Sequence, residues 1–342
     1  MAGSTTGRRW GRRAAVGVAV VLLIGGGAVA MNWTSFQAGW AAKELRNAAT
    51  DEARSAAAVK LVALGTPALP RVLDVFQSDD AAGCQALAAA FRNAWQGVPP
   101  TDPALADRCR PLLADASSYS EAGRDAVLNL ALDAVKSPNA EVAESGRQVI
   151  RAGLRASATD AVVRATAAAS LPEVGLKAEV VPLLSDARPE VRRAALMAVG
   201  PAAPGKPVIE TEELFRWLND PDVGVRAVCE SALMAGGLNG DQIAAARMLA
   251  HPDAGERLRL LLDIHGRREG LSDPGPWLER LSRDPDPAVR AGAARVACEC
   301  QLKFTGWLDR LATDDPDGTV RAIAAYYRAK SATVRQAGFE DR

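Results

Sequence analysis

The chain has 342 residues, of which 48% are hydrophobic and 5% aromatic, and its 41 basic residues balance its 41 acidic ones. The first 30 residues hold four basic residues and no acidic one, so the rest has 37 basic against 41 acidic residues, a net charge of −4. This balance argues against a nucleic-acid-binding surface, which would need a clustered basic excess. Almost no segment alternates polar and apolar residues with a period of two, so we predict an all-α fold.

The N-terminus combines a basic segment with an apolar run. Four arginines within residues 1–13 precede 18 uncharged residues, 14–31. As a helix this run would be ~27 Å long at ~1.5 Å per residue, close to the lower limit for crossing a bilayer. The arginines favour the cytoplasmic side, which predicts a single-pass protein of a bacterial inner membrane with the rest of the chain in the periplasm. The alternative is a signal peptide cleaved near Ala30, which would release a secreted chain.

Helical patterns follow along the rest of the chain. The predicted segments are a linker helix over 32–53, a helical array over 54–330 that is clearest over 181–328, and a tail over 331–342. Within the linker helix, Trp33, Phe36 and Trp40 follow the apolar run like an interfacial anchor. Loop insertions at 96–103 and 200–207 either carry binding or serve as passive spacers.

A repeated motif organises the array. Arginine recurs at positions 192, 226, 257, 290 and 321, in steps of 34, 31, 33 and 31 residues. Each of them except Arg257 follows a valine directly and lies six residues after an aspartate, and His251 holds the aspartate's place before Arg257. A fixed period of this length is the sequence signature of a solenoid of helical hairpins. We expect each aspartate to cap the second helix of its hairpin by accepting N–H groups of the first turn.

The D-x-x-x-x-V-R-x-x-A motif, with one helix before it and one after, resembles HEAT repeats, in particular the HEAT-like repeats of phycobilisome lyases. The resemblance implies an α-α superhelix in which aspartates and arginines stack from hairpin to hairpin as a polar ladder, over a core of valine and alanine. The ladder would comprise Asp186, Arg192, Asp220, Arg226, Asp284, Arg290, Asp315 and Arg321. The periodic spacing favours this structural role over that of catalytic carboxylates.

The sequence shows no catalytic, cofactor-binding or metal-binding pattern. We interpret the two histidines, His251 and His265, as structural or solvated, because a metal site needs several convergent donors. Five cysteines leave at least one unpaired, and Cys229 falls in a column of small residues, which predicts a buried filler. Cys298 and Cys300 form a single C-x-C pair, which we interpret as packing at a helix end rather than a redox or metal site.

Trp277 and Trp307 occupy equivalent positions ahead of the motif. Tryptophan is enriched at binding hot spots, so they form a candidate binding surface, unless they pack between hairpins. The favoured function is a membrane-tethered, non-enzymatic scaffold, anchored by residues 14–31, that binds a protein or peptide partner along its concave face. The alternative is a lyase-like or chromophore-handling accessory protein of the phycobilin lyase type, with Cys298 and Cys300 as carriers.

Overall fold

The computed structural model describes residues 33–96, 110–114, 116–201, 203, 207–266, 273–300 and 306–340. Throughout these ranges the regular structure is helical and contains no strand, which confirms the all-α prediction. The helices group into two compact units, divided in sequence between Leu176 and Lys177. The predicted membrane segment, 14–31, and most of the two loop insertions lie outside the described residues.

Unit 1 consists of helices packed in sequence order. They are α1 (33–47), α2 (Asp51–Ala63), a 3-10 turn (Thr66–Ala68), α3 (Leu69–Phe76), α4 (Ala81–Gln96), α5 (110–114), a 3-10 turn (Ala116–Ser118), α6 (Glu121–Val135), α7 (Ala140–Leu154) and α8 (Thr159–Ala169). α2 packs on α4, α4 on α6, α6 on α7 and α7 on α8. The side chains of Leu61, Phe76, Leu87, Leu130 and Ile150 are fully buried in this core.

The predicted linker helix over 32–53 is divided in two. α1 ends at residue 47, and α2 begins at Asp51 behind Thr50. The Thr50 hydroxyl accepts a hydrogen bond from the Ala53 N–H at 3.2 Å, and two acidic residues follow in the first turn. Both features favour a new helix start at this position, so the described part of the linker is α1 followed by the first turn of α2.

A backbone contact holds α6 against the end of α3. Ser120 N donates to the Phe76 carbonyl at 3.1 Å, and the Ser120 hydroxyl caps α6 by accepting from the Gly123 N–H at 3.0 Å. A Cβ on Gly123 would lie 1.8 Å from the Phe76 carbonyl oxygen. The absence of a side chain at Gly123 is therefore what permits this close approach.

In its described ranges, unit 2 contains five packed pairs of helical segments. In chain order its elements are α9 (Lys177–Val180), a 3-10 segment (Val181–Ser185), α10 (Pro189–Val199), a 3-10 segment (Thr211–Asn219), α11 (Val223–Ala235), α12 (Gly240–Leu249), α13 (Ala254–Gly266), α14 (Gly275–Leu281), α15 (Pro287–Glu299), α16 (Trp307–Asp314) and α17 (Gly318–Glu340). The second helix of each pair is α10, α11, α13, α15 or α17. α17 runs through most of the segment predicted as a tail, which contains no proline to end it.

The small apolar residues of the motif form the core of unit 2. The four motif valines, Val191, Val225, Val289 and Val320, are at most 1% exposed, and Ala195, Cys229, Ala293 and Ala324 are fully buried. Second helices pack directly on one another from α10 to α11 and from α13 through α15 to α17, whereas α11 and α13 lack such close packing. The row of second helices is therefore interrupted once.

Within the described ranges, no single helix has both the length and the apolar composition needed to cross a bilayer. The segments Asp51–Ala63 and Thr66–Phe76 meet those criteria only when taken together, and they are bent by 118° at the break between them.

Candidate functional site

Each motif arginine holds the loop in front of its own helix. Arg290 Nη1 donates to the backbone oxygens of Asp284, at 2.8 Å, and Pro285, at 3.0 Å. The equivalent pairs of carbonyl groups accept hydrogen bonds of 2.6–3.2 Å from Arg192, Arg226, Arg257 and Arg321. All five guanidinium groups are thus held in the same way by their own loops.

The other edge of the guanidinium reaches the next helix pair. Arg290 Nε and Nη2 donate to Asp315 Oδ2 and Oδ1 at 2.7 and 2.9 Å. The same two-pronged contact, at 2.7–3.0 Å, joins Arg257 to Asp284 and Arg192 to Asp220. We call each of these three contacts a rung. Because a two-pronged arginine–carboxylate contact fixes orientation as well as distance, the rungs determine how one pair stacks on the next.

The motif aspartate does not cap the second helix. Asp315 Oδ1 accepts the N–H of Asp317 at 2.9 Å, and it is Asp317 that accepts from the first turn of α17, from the Thr319 N–H at 2.8 Å. Asp222 and Asp286 are the capping residues of α11 and α15. The predicted capping role is therefore wrong. The motif aspartate closes a turn two residues earlier, which aims its carboxylate at the arginine of the preceding pair.

Three ladder positions form no rung among the described residues: Asp186, Arg226 and Arg321, the last of which binds only its own loop. Asp186 is bound by Arg188 of its own loop, with Nε–Oδ1 and Nη2–Oδ2 distances of 2.9 Å. Arg226 has no carboxylate partner among the described residues, because His251 occupies the place of the aspartate. His251 Nδ1 accepts the Asp253 N–H at 3.1 Å, so the histidine preserves the turn in the loop but supplies no negative charge.

Hydrogen bonds from arginine keep Asp315 and Asp186 ionised. The Arg290 and Asp315 side chains are 11% and 3% exposed, and hydrogen bonds from Arg290 lower the pKa of Asp315 although burial acts to raise it. Hydrogen bonds from Arg188 likewise lower the pKa of Asp186 to about 2. Since arginine occupies both oxygens of each carboxylate, neither group is placed to act as a general base.

The two tryptophans predicted as a binding surface are buried. Trp277 and Trp307 are each 7% exposed. Trp277 stacks on Phe215, with ring centroids 6.1 Å apart and an interplanar angle of 14°, and the Arg280 guanidinium lies 5.7 Å from the Trp277 centroid. Their burial favours the alternative that they pack between helices, and their role as a binding surface stays a prediction.

A different set of side chains forms an exposed surface on unit 2. The residue five positions after each motif arginine is exposed in all five second helices. These residues, which we call the second-helix row, are Met197, Ser231, Leu262, Arg295 and Tyr326. Met197, Leu262 and Tyr326 are 63%, 62% and 61% exposed. The positions of the second-helix row follow the spacing of the arginines. Their residue types differ from pair to pair, so no sequence motif identifies them.

A groove of about 570 Å³ lies beside this row, between α13, α15 and α17. Leu258, Ala291, Ile323 and Tyr327 line it, together with Arg295 of the row. Its volume falls within the range of ligand pockets in proteins, and its lining is mostly apolar, with one cationic side chain, Arg295, and one acidic side chain, Asp317. An apolar segment that carries a polar group would match this lining.

Two of the described cysteines, Cys84 and Cys229, are buried in the core. Burial raises the pKa of the Cys84 thiol to about 11 and that of Cys229 to about 12, so both thiols stay protonated at neutral pH. Cys298 and Cys300 are half-buried at the end of α15. Within the described ranges these cysteines form no disulfide with one another, and no three histidine, cysteine or acidic residues are grouped to hold a metal ion.

No protein-family model matches the chain, and no curated protein sequence matches it. A solved structure described as the crystal structure of an engineered protein, from the Northeast Structural Genomics Consortium, is similar over 86% of this chain and 99% of its own length. It is 18% identical, with a TM-score of 0.25, and a likeness of that size carries no argument about fold or function.

Proposed function

We propose that the chain is a HEAT-like α-α superhelix tethered to a bacterial inner membrane by residues 14–31, with its helical array in the periplasm. In this proposal it is a non-enzymatic scaffold that binds a protein or peptide partner along the second-helix row. The rung between consecutive helix pairs is the observation that carries the proposal.

The rung supports a superhelix because it repeats atom for atom. Arg192, Arg257 and Arg290 each bind two carbonyl groups of their own loop and the carboxylate of the following pair. Repeats that contact mainly their neighbours stack into an extended superhelix, whose surface grows with the number of repeats. Such a surface suits an elongated protein segment, which can contact several repeats at once.

The second-helix row supports a protein partner. Its large apolar members are more than half exposed, and exposed apolar side chains in series are typical of interaction surfaces. Methionine, arginine and tyrosine are enriched in protein interfaces, and Met197, Arg295 and Tyr326 supply these types. The row also continues into the groove between α13, α15 and α17 through Arg295.

The chemistry of the described residues favours binding over catalysis. The ladder carboxylates are committed to arginine, and the buried thiols of Cys84 and Cys229 have raised pKa values. The lyase-like alternative would require Cys298 or Cys300 to carry a chromophore. The absorbance spectrum of the purified protein tests that alternative, since a bound pigment would overturn the scaffold proposal.

Affinity capture with matched variants tests the proposed function. The full chain is used to capture partners from a detergent extract of the cell envelope, beside a Met197→Ser/Leu262→Ser/Tyr326→Ser variant. Val59→Ser, at a 50% exposed position of unit 1, is the control. We expect one captured species to be lost with the triple variant and retained with the control. Equal capture by all three proteins would contradict binding along the row.

A further inference from the structure

α1 exposes three large aromatic side chains on one face. Trp33, Phe36 and Trp40 are 59%, 62% and 62% exposed. Their spacing of three and four residues places them along one side of the helix, and the rings of Trp33 and Phe36 stack with centroids 5.9 Å apart. We call these three residues the aromatic stripe.

The opposite side of α1 is already packed on unit 1. Ala38, Ala41, Ala42 and Leu45 are at most 5% exposed. By helical spacing these residues lie across the helix from the aromatic stripe. The stripe therefore points away from the protein core, and α1 is apolar on two opposite sides. A helix of this kind needs a second apolar environment for its outer face.

We propose that the aromatic stripe lies in the headgroup region of a lipid bilayer, with α1 along the membrane surface. The inference rests on the proposed function, in which residues 14–31 span the membrane. That apolar run ends two residues before Trp33, so the described part of α1 follows almost directly on the proposed membrane segment. Tryptophan is enriched at this depth because its ring is apolar and its indole N–H seeks a polar partner.

Lysines at the edge of the stripe fit the same environment. Lys43 is exposed, and it lines a groove of about 500 Å³ together with Trp40 and Lys60. In the described part of the chain Lys43 forms no ion pair, whereas Lys60 binds Glu44 at 2.9 Å. A lysine can place its ammonium group beside lipid phosphate while its methylene stem covers apolar surface. The charge beside the stripe thus matches a lipid surface better than a second apolar protein face.

Fluorescence quenching in vesicles tests the proposal on the full chain. A Trp10→Phe variant keeps six of the seven tryptophans, of which only Trp33 and Trp40 belong to the stripe. It is placed in vesicles of phosphatidylcholine and phosphatidylglycerol, with and without bromine on the acyl carbons nearest the headgroup. We expect bromine to quench part of the fluorescence, and the further change Trp33→Phe/Trp40→Phe to remove most of that quenching. The control change Trp277→Phe/Trp307→Phe should leave it in place.

The outcomes separate this inference from the membrane tether. If Trp33→Phe/Trp40→Phe leaves the quenching unchanged, the stripe proposal is overturned. If the same protein resists extraction by alkaline carbonate, the membrane tether still holds. A protein or a second copy of the chain would then be the occupant of the stripe. If alkaline carbonate releases the protein from the vesicles, the membrane tether is overturned. The stripe proposal is still supported in that case if the quenching measured before the carbonate extraction depends on Trp33 and Trp40.

Discussion

Arg226 binds its own loop like the other motif arginines, but His251 stands where the next helix pair would offer it an aspartate. This gap falls where α11 and α13 lack close packing. Other contacts join the pairs here. Asn219 Nδ2 donates to the Arg247 carbonyl at 2.9 Å, and the Arg247 guanidinium pairs with Glu230. The gap makes this junction the best place to test what a rung contributes.

His251→Asp should restore the missing rung. Aspartate can accept the Asp253 N–H, as His251 does, and also present a carboxylate to the Arg226 guanidinium. We expect a gain of about 1.5–3 kcal/mol, the usual range for a hydrogen bond to a charged group, seen as a higher unfolding temperature by circular dichroism. His251→Asn is the control, since it keeps the turn without the charge. Equal stability of the two variants, or a gain that survives Arg226→Ala, would contradict this role.

Asp315→Asn should be strongly destabilising. The change is nearly isosteric but leaves the Arg290 side chain, 11% exposed, without its counter-charge. Breaking a buried ion pair from one side costs about 3–5 kcal/mol. Glu256→Gln provides the control, because its partner Arg259 is 69% exposed and ion pairs open to solvent contribute about 0–1 kcal/mol. If both variants unfold at the same temperature in thermal melts, the rung does not hold unit 2 together.

The core columns were open to prediction because their spacing is periodic, about every 32 residues, and the ladder because the motif resembles HEAT repeats. The contact of each arginine with its own loop was not predicted. The capping role was not predictable in the same way. Asp284 and Asp286, like Asp315 and Asp317, are both good helix caps by residue type, and only the turn geometry decides which of them acts.

Contacts between non-equivalent positions could not be predicted. Trp277 is buried because Phe215, 62 residues earlier in the chain, stacks on it, and no period links these two residues. Trp307 and Trp277 occupy equivalent positions ahead of the motif. Equivalent positions do not indicate whether the side chains are exposed or buried. The second-helix row was missed for the opposite reason, since its positions are periodic while its residue types are not.

Acid should destabilise unit 2. Hydrogen bonds from Arg290 lower the pKa of Asp315, and those from Arg188 lower the pKa of Asp186 to about 2. A carboxyl group with a lowered pKa stabilises the fold at every pH above its unfolded pKa of about 3.9. That contribution disappears as the pH falls through the folded pKa. We expect the unfolding temperature to be level above about pH 5 and to drop between about pH 4 and 2.

Asp186→Asn is the matched variant for this pH dependence. It should flatten part of the drop in unfolding temperature below about pH 4, because it removes one titrating group whose pKa differs between the folded and unfolded states. Thermal melts between pH 2 and 6 measure both chains. A wild-type unfolding temperature that stays constant down to pH 2 would show that these carboxylates are not linked to folding.

Trp277→Ala should affect stability rather than recognition. The ring is buried against Phe215 and beneath Arg280, and truncation of a buried tryptophan costs about 3–5 kcal/mol. We expect a lower unfolding temperature with capture of the partner preserved below it. Leu262→Ser, at an exposed position, should leave the unfolding temperature unchanged and reduce capture of the partner. Loss of partner binding by a Trp277→Ala protein that remains folded would return Trp277 to the binding surface.

Photo-crosslinking in living cells tests the central claim, that the second-helix row is a binding surface, most directly. A photoreactive amino acid is placed in the full-length chain at position 197, 262 or 326, and at position 59 as the control. The scaffold account predicts that the three row positions crosslink to the same protein and that position 59 does not. If the chain remains folded and the three row positions share no crosslinked protein, the second-helix row is not a binding surface.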